Sequence, residues 1–124
     1  MRAGLLLFLL VLLHGCASQP PRNPQDAWIQ VNTGIYGSLL AETLDGLTWA
    51  AGNYFQTTPG PHTLGLNLSL GPRFCSLALS YGDFRAGANY HLLGGWYYAG
   101  GWVHLLDEQG RILATQTCRD PYVN

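Results

Sequence analysis

Three cysteines, four histidines and a tight aromatic cluster are the residues of this chain best equipped for chemistry. Cys16 directly ends an apolar run, Leu5 to Leu13, that follows the positive Met1-Arg2 start, and the small residues Gly15 and Ala17 flank its thiol. Cys75 and Cys118 lie instead inside alternating stretches. Cys75 is in phase with Leu77 and Leu79, and Cys118 with Ile112 and Ala114, so both fall on the apolar sides of expected strands. In an exported chain an even pair of this kind predicts a disulfide. The competing reading is two independent buried thiols acting as small hydrophobes. His62, His91 and His104 invite a metal, but none has a second ligand at the close spacing of a tetrahedral site, so no metal or other cofactor is expected. Catalytic motifs are absent: there is no Gly-x-Ser-x-Gly elbow and no Gly-rich phosphate loop, and Asp107-Glu108 beside Gly110 reads as turn chemistry. No catalytic residue is assigned, and the chain is expected to be non-enzymatic.

Trp96, Tyr98 and Trp102 form the candidate binding surface. Alternation places Trp96 and Tyr98 on one face and Tyr97 on the other, and Gly94-Gly95 and Gly100-Gly101 leave the backbone uncovered on either side. Exposed rings on a rigid sheet stack on sugars or dock a partner, whereas the same rings turned inward fill a core. A flat exposed patch carrying Trp96 or Tyr98 favours a binder, and a cleft gathering His104, Asp107 and Glu108 favours an enzyme.

Leu13-His14-Gly15-Cys16 resembles the lipobox of bacterial lipoproteins, although His14 is an unusual occupant of its second position. The apolar run is well short of the roughly 20 residues that span a bilayer and has the length of an export-signal core. The resemblance implies that residues 1–15 are a signal peptide and that Cys16 becomes a lipidated mature N-terminus, with the membrane as partner through that lipid. Several acyl chains on one cysteine make such attachment stable. Ala17 after the cysteine implies the outer membrane of a bacterial cell envelope, facing the periplasm. The plainer alternative is an ordinary secretory signal cut after Ala17 or Ser18. From Cys16 onward five arginines face seven acids, and the 124 residues contain no lysine. Without a basic patch nucleic acid is not a partner, and no polybasic segment reinforces binding to anionic lipid.

These groups have to be positioned by a chain that is rich in glycine and aromatics and lacks helix-periodic runs. Residues 16–26 carry the lipidated cysteine and a Pro-rich tether with Pro20, Pro21 and Pro24. Residues 27–119 predict an all-β domain, a single small antiparallel β-sandwich, with a tail over 120–124. Strands are expected at Ala27–Asn32, Thr48–Ala51, Asn53–Thr57, His62–Leu70 and Phe74–Tyr81, where Gly82-Asp83 breaks the last. Further strands are expected at Ala88–Leu93, ended by Gly94-Gly95, then Trp96–Ala99, Trp102–Leu106 and Arg111–Cys118. Gly100-Gly101 reads as a bulge, bend or hairpin turn, and Ser38–Leu44 as either a short helix or an irregular strand.

Three short motifs, Pro59-Gly60-Pro61-His62-Thr63-Leu64, Gly87-Ala88-Asn89-Tyr90-His91-Leu92 and Asp107-Glu108-Gln109-Gly110, occur in an order resembling that of small bacterial lipoproteins with one PEGA-like or transthyretin-like β-sandwich. The likeness covers residues 27–118 and implies architecture, with no site to carry over. The resulting expectation is an envelope lipoprotein that displays a small sandwich for binding a protein or peptidoglycan, or for structural support. The alternatives are an inhibitor or immunity-type lipoprotein against a secreted enzyme and a small envelope enzyme.

Overall fold

The computed structural model describes residues 22–32 and 37–121. Cys16, the apolar run and most of the Pro-rich tether lie outside the described residues, as do residues 122–124. Nine strands occur among the described residues: β1 (Ala27–Asn32), β2 (Ser38–Leu44), β3 (Leu47–Thr48), β4 (Tyr54–Thr57), β5 (Gly60–Leu70), β6 (Arg73–Phe84), β7 (Asn89–Tyr97), β8 (Gly100–Leu106) and β9 (Ile112–Arg119). They build two packed sheets, one in the order β4-β1-β7-β8-β9 and the other in the order β3-β2-β5-β6. The domain is a small all-β sandwich. Its pairings are antiparallel except one, because β1 inserts between β4 and β7 and runs parallel to β7. The chain therefore crosses to the second sheet and back before β7 is laid down.

Period-two alternation does most of the work of folding. On β5, Leu64, Leu66 and Leu68 are buried, and on β6 Cys75, Leu77 and Leu79 face them across the ladder. From the other sheet Ile29, Val31, Phe55, Leu92, Val103 and Leu105 close the same core. Ser38–Leu44 is a strand, irregular through a register shift between Ala41 and Thr43. Leu39 and Ala41 stay buried through it, and a helix over the same residues would leave β5 without its second neighbour.

Three expected breaks are not breaks. β6 continues through Gly82-Asp83 to Phe84, whose buried ring makes edge contacts with Tyr81 and Tyr90, both at 5.1 Å. Gly94-Gly95 and Gly100-Gly101 lie inside β7 and β8, and the hairpin turns at Tyr98-Ala99 instead. The glycines serve close approach: a Cβ on Gly101 would overlap the Leu68 side chain and stand 3.3 Å from both cysteine sulfurs, and one on Gly100 would overlap the Cys118 carbonyl. Ile112 also departs from the expected phase. A register shift between Leu105 and Leu106 turns Ile112 out to solvent, so that Leu113, Ala114 and Cys118 pack on the core without it.

His62 anchors two turns at one end of the second sheet. Its Nδ1 lies 2.6 Å from Asp45 Oδ2 and its Nε2 2.7 Å from the Thr58 carbonyl, while the Thr63 N–H donates to Asp45 Oδ1 at 2.8 Å. The His62 bond first, and the Thr63 N–H next, hold the Asp45 carboxyl below its ordinary 3.8. A depressed folded-state value means that the stabilisation is present above the unfolded value and is lost as pH falls through the folded one. Because Asp45 is 46% exposed, solvent screening limits the effect to about 0.5 kcal/mol. Asp45→Asn is expected to melt slightly below the parent at neutral pH, with the gap closing by about pH 3. A melting difference that stayed constant from neutral to acid pH would show that the carboxylate charge is not involved.

Candidate binding surface

The two ends of the five-stranded sheet differ in chemistry. β1 and β7 run parallel from an end where the chain enters through Arg22, whose guanidinium lies 4.3 Å from the centroid of the Trp28 ring and donates to Asn89 Oδ1 at 2.6 Å. The opposite, distal end holds the β7–β8 hairpin and the residues that follow β9.

Arg73 organises that distal end. It begins β6 in the second sheet and reaches across to the first. Its Nε donates to Asp120 Oδ2 at 2.8 Å, and its Nη2 donates to the carbonyls of Tyr97 and Tyr98 at 2.8 and 3.1 Å. Its guanidinium carbon also sits 4.5 Å over the Trp96 ring. Trp96 packs on the core beneath this cation, and its buried indole nitrogen has no hydrogen-bond partner among the described residues. Two residues on, Tyr98 is 85% exposed at the turn. An arginine that ties down both turn carbonyls therefore presents an exposed tyrosine on fixed backbone.

The expected surface of Trp96, Tyr98 and Trp102 is corrected accordingly. Register pairs Trp96 with Gly101 and Gly95 with Trp102, so the two indoles lie on opposite sides of the sheet. Tyr98 leaves the alternation because it is in the turn. The distal outer face instead combines Tyr97, which is 45% exposed, with Trp102 and His104, and Tyr98 stands exposed in the turn at its tip. The Trp102 indole lies over Gly95: a Cβ there would stand 2.6 Å from its Cε2. His104 tilts against it with ring centroids 4.5 Å apart and pairs through Nδ1 with Thr115 Oγ1 at 2.9 Å. Tyr97 and His104 were missed as surface residues, although their parity with Gly95 and Trp102 was a signal for both. No local pattern marks Arg73, because its partners come from 24 to 47 residues away.

The other singled-out residues are dispersed. Cys75 on β6 and Cys118 on β9 stand at disulfide distance, with Cα atoms 5.9 Å apart, where the open edges of the two sheets meet. His91 pairs with Asn32 at 3.4 Å on the outer face, far along the chain from the His62 turn cluster. Among the described residues no group of His, Cys, Asp and Glu is placed to hold a metal ion. Asp107 and Glu108 line a cleft at the Arg22 end, and His104 is not among its lining residues, so the three do not converge on one cleft. The chain matches no protein-family model, no curated protein and no solved structure, and its chemistry rests on the geometry above.

Proposed function

We propose that this protein is a lipid-anchored, non-enzymatic module of the bacterial envelope that binds cell-wall glycan through the distal patch of Tyr97, Tyr98, Trp102 and His104. The observation that carries this reading is the Arg73 clamp, which fixes the backbone of a turn whose tyrosine side chain is left almost wholly in solvent. The Trp102 indole packed over the Gly95 backbone offers an aromatic ring of the kind that stacks on a pyranose. The layout suits a tether. Nine-residue β7 carries the tip about 30 Å from the Arg22 end, on the side away from Cys16 in the sequence.

Two measurements test the proposal. Cys16→Ser is expected to abolish acyl labelling and to move the protein from the membrane to the soluble fraction. Unlabelled protein that stays in the membrane would remove the anchor. In sedimentation with purified peptidoglycan, Trp102→Ala and Tyr98→Ala are each expected to weaken binding by about 2 kcal/mol, Tyr98→Ala while leaving the melting temperature nearly unchanged. Gly95→Ala, which keeps the indole but pushes it off the sheet, is expected to weaken binding as much as Trp102→Ala. Wild-type protein that does not sediment with peptidoglycan, or variants that bind as well as wild type, would overturn the glycan reading.

A further inference from the structure

The cleft at the Arg22 end is separate from the distal patch and has a different chemistry. It encloses about 490 Å³ between the segment that follows β6 and the β8–β9 turn, within the size range of small-ligand sites. Tyr81, Asp83 and Arg85 line it from β6 and the residues that follow, and Asp107, Glu108 and Arg111 line it from the β8–β9 connection.

The internal hydrogen bonds decide which groups remain for a ligand. Asp107 Oδ1 accepts from the Gln109 and Arg111 N–H groups, at 3.0 and 2.9 Å, and its Oδ2 accepts from Arg111 Nε at 2.8 Å. The Arg111 bonds at backbone and side chain hold the Asp107 carboxyl below its ordinary value, so it stays charged and pins the guanidinium through Nε, and neither Nη group is bonded among the described residues. Arg85 donates Nε and Nη2 to Asp83 Oδ2, at 3.3 and 3.1 Å, which leaves Nη1 and Asp83 Oδ1. Glu108 Oε1 takes the Asn89 N–H and side-chain amide at 3.2 and 2.9 Å, which leaves Oε2. The Tyr81 hydroxyl has no hydrogen-bond partner among the described residues, and burial first, then the Asp83 charge, pushes its ionisation up, so it remains a protonated donor.

The cleft therefore offers fixed cationic donors and fixed anionic acceptors within one enclosure. A bare polyanion would meet three carboxylates, and a bare cation would meet two guanidiniums. A ligand with one charge of each sign at its two ends satisfies both sets, because charge-assisted bonds form at each end without an unpaired charge being buried. We propose that the cleft binds a short zwitterionic peptide, its carboxylate held by the guanidinium donors and the Tyr81 hydroxyl and its ammonium by the free oxygens of Glu108 and Asp83. The proposal is independent of the glycan reading, since none of these residues belongs to the distal patch.

The test is an NMR titration of the mature chain with trialanine, with its N-acetylated and C-amidated forms, and with the doubly blocked peptide. Trialanine is expected to shift amides within 81–90 and 107–113, and each single block to weaken binding by about ten-fold. Arg111→Gln is expected to bind trialanine about ten-fold more weakly and no longer to distinguish it from the C-amide. Glu108→Gln is expected to lose discrimination against the N-acetyl form. Arg111 is 76% exposed, so this variant is expected to keep the parent melting temperature, which is measured alongside. No shift in the cleft at about 10 mM trialanine, equal binding of the doubly blocked peptide, or an Arg111→Gln titration identical to wild type would each overturn the proposal. Peptidoglycan sedimentation by the same variants keeps its failure distinct from that of the distal patch.

Discussion

Replacing Cys75 and Cys118 together by alanine is expected to cost the domain about 4 kcal/mol of stability, by the chain-entropy estimate for closing a loop of this length. The two cysteines are 43 residues apart in sequence. What makes the bond matter here is where it lies. β6 ends one sheet and β9 ends the other, so no strand ladder joins them, and the sandwich on that side is closed by side chains alone. Both sulfurs sit over Gly101, where no side chain replaces the lost contact, so the variant also leaves a packing defect beside Leu68. For a domain of this size the loss corresponds to a melting temperature lower by about 20 °C. Thermal unfolding of wild type with and without reductant, beside the double variant, measures it. Reduced wild type is expected to show most of this loss, and the double variant to melt slightly lower still, because it also lacks the two sulfurs packed over Gly101. Quantitative alkylation of both thiols without denaturant or reductant would refute the bond itself, and an unchanged melting curve under reductant would refute its role.

The alternating segments were the legible part of the sequence. Leu64, Leu66 and Leu68 on β5 and Cys75, Leu77 and Leu79 on β6 point inward as their period-two phase requires, because one apolar face must be removed from water and a one-residue slip would expose all of it. The faces of Trp96 and Trp102 were not legible in the same way. Glycine is a local punctuation mark, and Gly94-Gly95 and Gly100-Gly101 read as breaks until Leu68, Trp102 and the Cys118 backbone are seen lying against them. Once those glycines are strand residues, the turn moves to Tyr98-Ala99, and Trp96 and Tyr98 no longer share a face. The parallel seat of β1 beside β7 was also hidden. Pairing between residues about 60 positions apart depends on which edge stays open after the intervening strands have paired, and no local composition records that. The tether-end cleft escaped notice for a related reason. The turn chemistry of Asp107-Glu108 is local and legible, but Tyr81, Asp83 and Arg85 come to the cleft from another strand and its following loop.

Arg73→Met is expected to be the most damaging single change at the distal end, lowering stability by about 3 kcal/mol and loosening the β7–β8 turn together. The Asp120 side chain is 1% exposed, and Arg73 at 29% is itself mostly covered. Methionine keeps an aliphatic stem of similar length but removes the charge, so the buried carboxylate loses its guanidinium. The two donations to the Tyr97 and Tyr98 carbonyls go with it. Arg73→Lys is expected to fall between wild type and methionine, because one ammonium restores the charge but cannot serve the carboxylate and both carbonyls from a planar fork. Asp120→Asn is expected to cost less than Arg73→Met, since it removes the buried charge while the carbonyl bonds to Arg73 remain. Urea unfolding of the three variants ranks the costs, and amide exchange at Tyr98 and Ala99 reads the turn. Exchange there should rise markedly in Arg73→Met and little in Asp120→Asn, and peptidoglycan sedimentation should weaken in the same order. If Asp120→Asn frees the turn as much as Arg73→Met, the ion pair rather than the carbonyl clamp holds it. If the turn exchanges freely while sedimentation is intact, a fixed tip is not what the patch depends on.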